Sequence, residues 1–203
     1  MKKYMDKFKS NIYINKNLFI FLLVIVIIGI ASGTIFSIIL GANDKELVGN
    51  YLNNFFSNLD KLNYEVSITN SLIFTILFVI IIWFLGLSVV GFFLVLFLLF
   101  LKSFILGFSV GSIIINLKLK GVIISFIYVF PHQVINIFIF ILISAYALIV
   151  SFKIIRGLMK KRVVDFRNIL NRYLIILTFS IFILIFTSLY EVYIMPFLLN
   201  LII

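Results

Sequence analysis

The sequence predicts an all-α, polytopic membrane protein: a bundle of about five transmembrane helices, amino terminus in the cytoplasm and carboxyl terminus outside. Three observations carry that reading. Hydrophobic residues make up 64% of the chain and charged residues 12%, with a mean hydropathy of +1.29, a balance that a soluble domain of 203 residues cannot sustain. Uncharged runs long enough to cross a hydrocarbon core of roughly 30 Å alternate with short charged segments. Most of the 17 lysines and arginines fall in segments 1–17 and 153–172, which the positive-inside rule places on the cytoplasmic side. The net charge of +10 therefore points to the anionic lipid of the inner leaflet and not to nucleic acid. Cysteine is absent, which excludes disulfides, thiolate catalysis and cysteine-based metal sites.

Residues 1–17 form a basic cytoplasmic arm. Met5, Phe8 and Ile12 recur at helical spacing among Lys2, Lys3, Lys7, Lys9 and Lys16, the pattern of a short helix lying on anionic headgroups. The first span covers 18–42; its apolar run is longer than that of a cleaved signal peptide, and no small-residue cleavage site follows. Gly29, Gly33, Ser37 and Gly41 fall every fourth residue and share a helix face that another helix can approach closely. The acidic extracytoplasmic loop, 43–70, carries Asp44, Glu46, Asp60 and Glu65 against Lys45 and Lys61. Within it Leu47, Val48, Tyr51, Leu52, Phe55, Phe56 and Leu59 repeat with helical period. That amphipathic helix either rests in the lipid interface or docks an extracytoplasmic partner through Tyr51, Leu52, Phe55 and Phe56.

The uncharged run 71–101 would be about 46 Å long as one helix, too long for one upright span. Passing from the acidic loop to the basic segment 153–172 requires an odd number of crossings, and the length fits three: 71–90, 92–116 and 122–150. Gly86 and Gly91 then lie at the turn between the first two. Lys102 falls inside the 92–116 span, where an ionisable group costs several kcal/mol unless it snorkels, pairs or meets water. The alternative breaks the chain at Lys102 and leaves 104–117 as a short re-entrant segment. Ser103, Gly107 and Gly111 form a small-residue face beside it. Lys118 and Lys120 close the span on the outer side, against the positive-inside trend.

Pro131 interrupts the 122–150 span and frees a backbone carbonyl there. His132 and Asn136, four residues apart, share a face with Gln133 alongside. These groups either hydrogen-bond to neighbouring helices or, together with Lys102, line a polar cavity. Segment 153–172 reads as a basic cytoplasmic helix, 173–190 as the fifth span, and 191–203 as an apolar tail in the outer interface, interrupted by Glu191 and Pro196. The spans contain no carboxylate pair, histidine cluster or phosphate-binding loop. Lys102 and the adjacent Ser103 point about 100 degrees apart, a poor arrangement for a catalytic dyad. The expectation is of no catalytic residues, no metal site and no cofactor.

The runs WFLGLSVVGFF, LFLKSFILGFSVG and KGVIISFIYVFPHQVIN resemble the stage II sporulation protein M family. The resemblance covers nearly the whole chain and is carried by Trp83, Gly86, Gly91, Lys102, Gly107, Gly111, Gly121 and Pro131 in that order and spacing. Two positions depart from it: Ser103 stands where the family often has glycine, and Asn136 where more distant relatives often have glutamate. The resemblance implies a non-catalytic membrane scaffold acting in engulfment of the forespore. Its implied partners are the stage II sporulation proteins D and P, peptidoglycan-degrading proteins that it places at the septal membrane. The residues by themselves also admit a small permease or channel-like subunit, with Lys102, His132, Gln133 and Asn136 in its cavity.

Overall fold

A computed structural model describes residues 16–57, 64–129, 132–160 and 166–200. The long helices are α1 (Lys16–Ile39), α2 (Ala42–Ser57), α3 (Tyr64–Gly86), α4 (Gly91–Val129), α5 (His132–Lys160) and α6 (Phe166–Leu189). A π-helical segment, Tyr190–Ile194, leads into the short α7 (Met195–Asn200). The described residues contain no strand. Five stretches are long and apolar enough to cross a membrane: Lys16–Ile39, Thr69–Gly86, Gly91–Ile127, His132–Gly157 and Arg167–Leu199. The protein is an all-helical, multi-pass membrane bundle. Most of the basic arm 1–17, together with Pro131 and 201–203, lies outside the described residues.

Large apolar side chains such as Ile27, Phe36, Phe74, Phe84 and Phe138 point outward, whereas Ser37, Ser103, His132, Asn136 and Thr187 are buried. A surface of that kind belongs in hydrocarbon, where the polar groups turn inward to find one another. α5 is the central helix, with 67% of its apolar window buried against 17–33% for the other four spans.

Helices α1 and α4 meet along their small residues. A Cβ added at Gly29 would lie 2.8 Å from the Ser103 Cβ, and one at Gly33 or Gly107 would overlap the Phe104 or Ile30 carbonyl of the facing helix. The Thr34 hydroxyl reaches both the Ile30 carbonyl of its own helix (2.9 Å) and the Gly107 carbonyl across the seam (3.1 Å). Lipid tails are as apolar as leucine, so such a pair is held by close dispersion contact and interhelical hydrogen bonds. Gly41 lies past the end of α1 and meets only the Asp44 side chain, at 3.7 Å.

The α3–α4 connection is a tight turn in which the Leu87 and Ser88 N–H groups donate to the Phe84 and Leu85 carbonyls, each at 3.0 Å. A Cβ at Gly91 would overlap the Leu85 carbonyl, so the turn requires glycine there. Ser151 of α5 donates to the Ser88 carbonyl at 3.0 Å. Gly86 packs against Ala147 of α5 and the Tyr173 hydroxyl of α6. That hydroxyl donates to the Trp83 carbonyl at 3.0 Å, and the Trp83 and Tyr173 rings stack at 5.3 Å and 26°. Trp83, Gly86 and Gly91 thus build the joint of α3, α4, α5 and α6.

Three boundaries differ from the sequence expectation. The stretch expected as one span over 122–150 is divided, because α5 begins only at His132. Helix α4 is broken at Lys118, whose φ of 49° and ψ of −124° are angles glycine takes at the first corner of a type II′ turn. The chain doubles back there and brings Gly121 against Ile113 and Ile114, leaving 119–129 as a return limb about 16 Å long, half a bilayer. The basic segment 153–172 is not a separate helix; it is shared between the end of α5 and the start of α6.

The apolar tail differs as well. The last span does not end at 190 but continues as Arg167–Leu199, with Val192, Met195 and Leu199 buried. The helix passes through a π turn, in which the Met195 N–H bonds the Tyr190 carbonyl five residues back. Pro196, which has no N–H to give, follows without ending the element. Met195 and Leu199 join Ile113 and Ile124 in a small second core, flanked by Leu52 and Phe56 of α2.

Candidate functional site

Polar side chains from four helices converge inside the bundle. α4 is helical through Lys102, since its only non-helical residue is Lys118, and the break considered at Lys102 does not occur. Lys102 stands 11 residues beyond Gly91, about 16 Å along the helix axis and near the middle of a hydrocarbon core. Its Nζ lies 5.5 Å from the ring centroids of Phe78 (α3) and Phe140 (α5), which pack edge to face at 5.1 Å. Each desolvated cation–π contact is worth about 2 kcal/mol, which offsets much of the cost of placing an ammonium at this depth.

Nearer the α2 end lies a second polar layer. His132 is buried beside Tyr190, ring centroids 5.8 Å apart, and one turn further along α5 Asn136 accepts a 2.6 Å hydrogen bond from Thr187 of α6. Ser71 of α3 donates to the Glu191 carboxylate at 2.7 Å. Glu191 carries the only acidic side chain inside the last span, and it follows Tyr190, the residue beside His132. Sequence reasoning placed this acid beyond the fifth span. The π turn, with its wider hydrogen-bonded ring, keeps residues 190–194 helical and within the bundle. The only sequence signal was one acid in an apolar run, 120 residues from its serine partner.

Of the expected cavity residues, His132 and Asn136 lie in the layer that holds Tyr190 and Thr187, Lys102 stands in a separate layer between Phe78 and Phe140, and Gln133 is half-buried on the flank. The arrangement ties α3 and α5 to the last span by a charge-assisted and a neutral hydrogen bond in low dielectric. Among the described residues there is no group of three or more histidine, cysteine or acidic side chains that would hold a metal ion.

The other expected site is α2, which crosses the end of α4 with Gly49 against the Asn116 side chain. The four docking candidates divide. Leu52 and Phe56 turn inward onto Ile113, Ile124, Met195 and Leu199. Tyr51, 73% exposed, and Phe55 turn outward with Leu47. Between α2, α4, the return limb and α7 runs an apolar groove of about 450 Å³.

Neither a curated protein nor a solved structure matches the chain. The model of the family described as stage II sporulation protein M matches residues 18–196. The glycine seam of α1 and α4, the Trp83–Tyr173 joint, Lys102 and the whole Glu191 layer lie inside those residues. A five-span bundle matched over nearly its whole length, this sporulation-related membrane protein belongs to the stage II sporulation protein M family.

Proposed function

We propose that the protein is a non-catalytic membrane scaffold in sporulation. It holds peptidoglycan-degrading partners, the stage II sporulation proteins D and P of the family resemblance, at the septal membrane while the forespore is engulfed. The observation that carries this reading is the state of α2. One face is anchored by Gly49, Leu52 and Phe56 on a buried core, so Leu47, Tyr51 and Phe55 are presented outward on a rigid element. A pre-organised aromatic face binds with little ordering cost. Exposed Lys153, Arg156, Arg167 and Arg172 at the opposite end favour anionic headgroups of the inner leaflet, which supports α2 on the outside, where the wall is. Lys102, His132 and Glu191 sit buried or half-buried within the bundle. The test is co-purification of the two partners from sporulating cells with the Tyr51→Asp, Phe55→Asp double variant. Loss of both partners with normal membrane insertion supports the scaffold, and undiminished capture overturns this surface.

A small permease or channel-like subunit is the second reading, favoured by the presence of Lys102, His132, Asn136 and Glu191, all buried or half-buried, inside the bundle. Proton or cation flux into liposomes carrying the purified protein, abolished by Glu191→Gln, would establish it.

A further inference from the structure

Two spaces at the α2 end share walls. The apolar groove runs between α2 and α4 past Leu47, Leu52, Phe56, Phe108, Ile113 and Ile124. A small recess adjoins it, without room for a water molecule and lined by Ser37, Leu40, Lys45, Ile115 and Asn116, and Val48 and Ser112 belong to both. Ser112 is 4% exposed, and its hydroxyl has no hydrogen-bond partner among the described residues. A buried hydroxyl without a partner is costly and seeks an oxygen. Lys45 is half-buried beside the recess, whereas the acids of the same helix, Asp44 and Glu46, are exposed and line neither space.

Depth separates the two spaces. Phe108 and Ile113 stand 17 and 22 residues beyond Gly91, about 26–33 Å along α4, and Asn116 stands at about 38 Å. In a hydrocarbon core of roughly 30 Å the groove lies at the margin of the acyl chains and the recess at headgroup level. Lys118 and Lys120, which run against the positive-inside trend, are exposed at the adjoining hairpin tip and add to the field there. An apolar slot within the usual range of ligand sites, with one unpaired hydroxyl in its wall and the Lys45 ammonium one helix turn beyond the shared Val48, matches an amphiphile with a hydrocarbon chain and an anionic head.

We propose that this is a binding site for an anionic phospholipid of the leaflet at the α2 end. One acyl chain occupies the groove, the phosphate lies on Lys45, and the Ser112 hydroxyl donates to a headgroup oxygen. The site does not rest on the scaffold reading; Leu47, Tyr51 and Phe55 of the outward α2 face also line the groove, so lipid and partner would share them.

The test uses the full-length protein in phosphatidylcholine vesicles containing a small fraction of phosphatidylglycerol with a photoactivatable acyl chain. Crosslinks are mapped by mass spectrometry, with outward residues Ile27 and Phe36 of α1 as the bulk-lipid reference. Enrichment at Phe56, Phe108 and Ile113 over the reference is expected. It should fall about fivefold with Lys45→Gln, the effect of one lysine near an anionic surface, and should also fall with Ser112→Ala. Inorganic phosphate, which has no chain, should not compete. Equal labelling of groove and reference, equal enrichment by a phosphatidylcholine probe, or insensitivity to both substitutions overturns the site. The Ser112→Ala variant removes one oxygen from a position that already lacks a protein partner, so its folding is not at risk.

Discussion

The α1–α4 seam and the polar layer around Glu191 hold the same bundle together in opposite ways. In the seam, side chains are removed until two backbones touch, and glycine is required because the facing atoms are carbonyls. In the polar layer, Ser71, Asn136, Thr187 and Glu191 reach across gaps to one another, and the bonds join residues as far apart as 120 positions. The seam is a repeat of four along one helix facing a repeat of four along another. The layer has no repeat at all. A membrane bundle can use both, because lipid neither drives helices together nor satisfies their polar groups.

The sharpest way to break this contrast is in the seam. Gly33→Leu should cost on the order of 3 kcal/mol or more, since the obstructing atoms are backbone and cannot swing away. Gly41→Leu, on the same face but past the helix, should stay within about 0.5 kcal/mol. Unfolding in mild detergent, followed by circular dichroism, separates the two; equal losses would mean the seam is not a backbone contact. Next is Glu191→Gln, expected to cost about 2 kcal/mol by weakening a charge-assisted hydrogen bond. A Ser71→Ala, Glu191→Gln cycle should show coupling, and strict additivity would dissolve the layer into separate contacts.

A smaller effect is expected at the joint opposite. Tyr173→Phe removes the hydrogen bond to the Trp83 carbonyl while keeping the ring stack, at about 1 kcal/mol in the same measurement. The smallest change has the opposite sign. Lys118→Gly should raise stability by about 0.5–1 kcal/mol, because glycine takes this backbone corner without strain; a loss would show that the corner is relaxed in the native chain.

Particular residues show where reading the sequence succeeds and where it stops. Gly29, Gly33, Ser37, Ser103, Gly107 and Gly111 were legible as packing faces because spacing along one helix fixes which side chains share a side. That the two faces meet each other was not legible. Gly86 and Gly91 were legible as a turn from length alone. The return limb was missed because a lysine at positive φ carries no turn signature, and Lys118 looked like ordinary loop charge. Glu191 was missed because an acid followed by Pro196 reads as a helix end, and the π turn that absorbs both leaves no local mark. On α2, the apolar period picks out Tyr51, Leu52, Phe55 and Phe56, and only contact with Met195 and Leu199 divides them into anchors and exposed face.

What the sequence determined by itself is the class of molecule and the places where it can cross a membrane. Those follow from hydropathy and run length, local properties measured against a fixed bilayer thickness. Tertiary structure alone decided which polar groups meet: that Glu191 reaches Ser71, that Thr187 serves Asn136, and that Lys102 rests between Phe78 and Phe140. Those meetings depend on which helices are neighbours and how each is rotated about its axis, and packing across the bundle sets both.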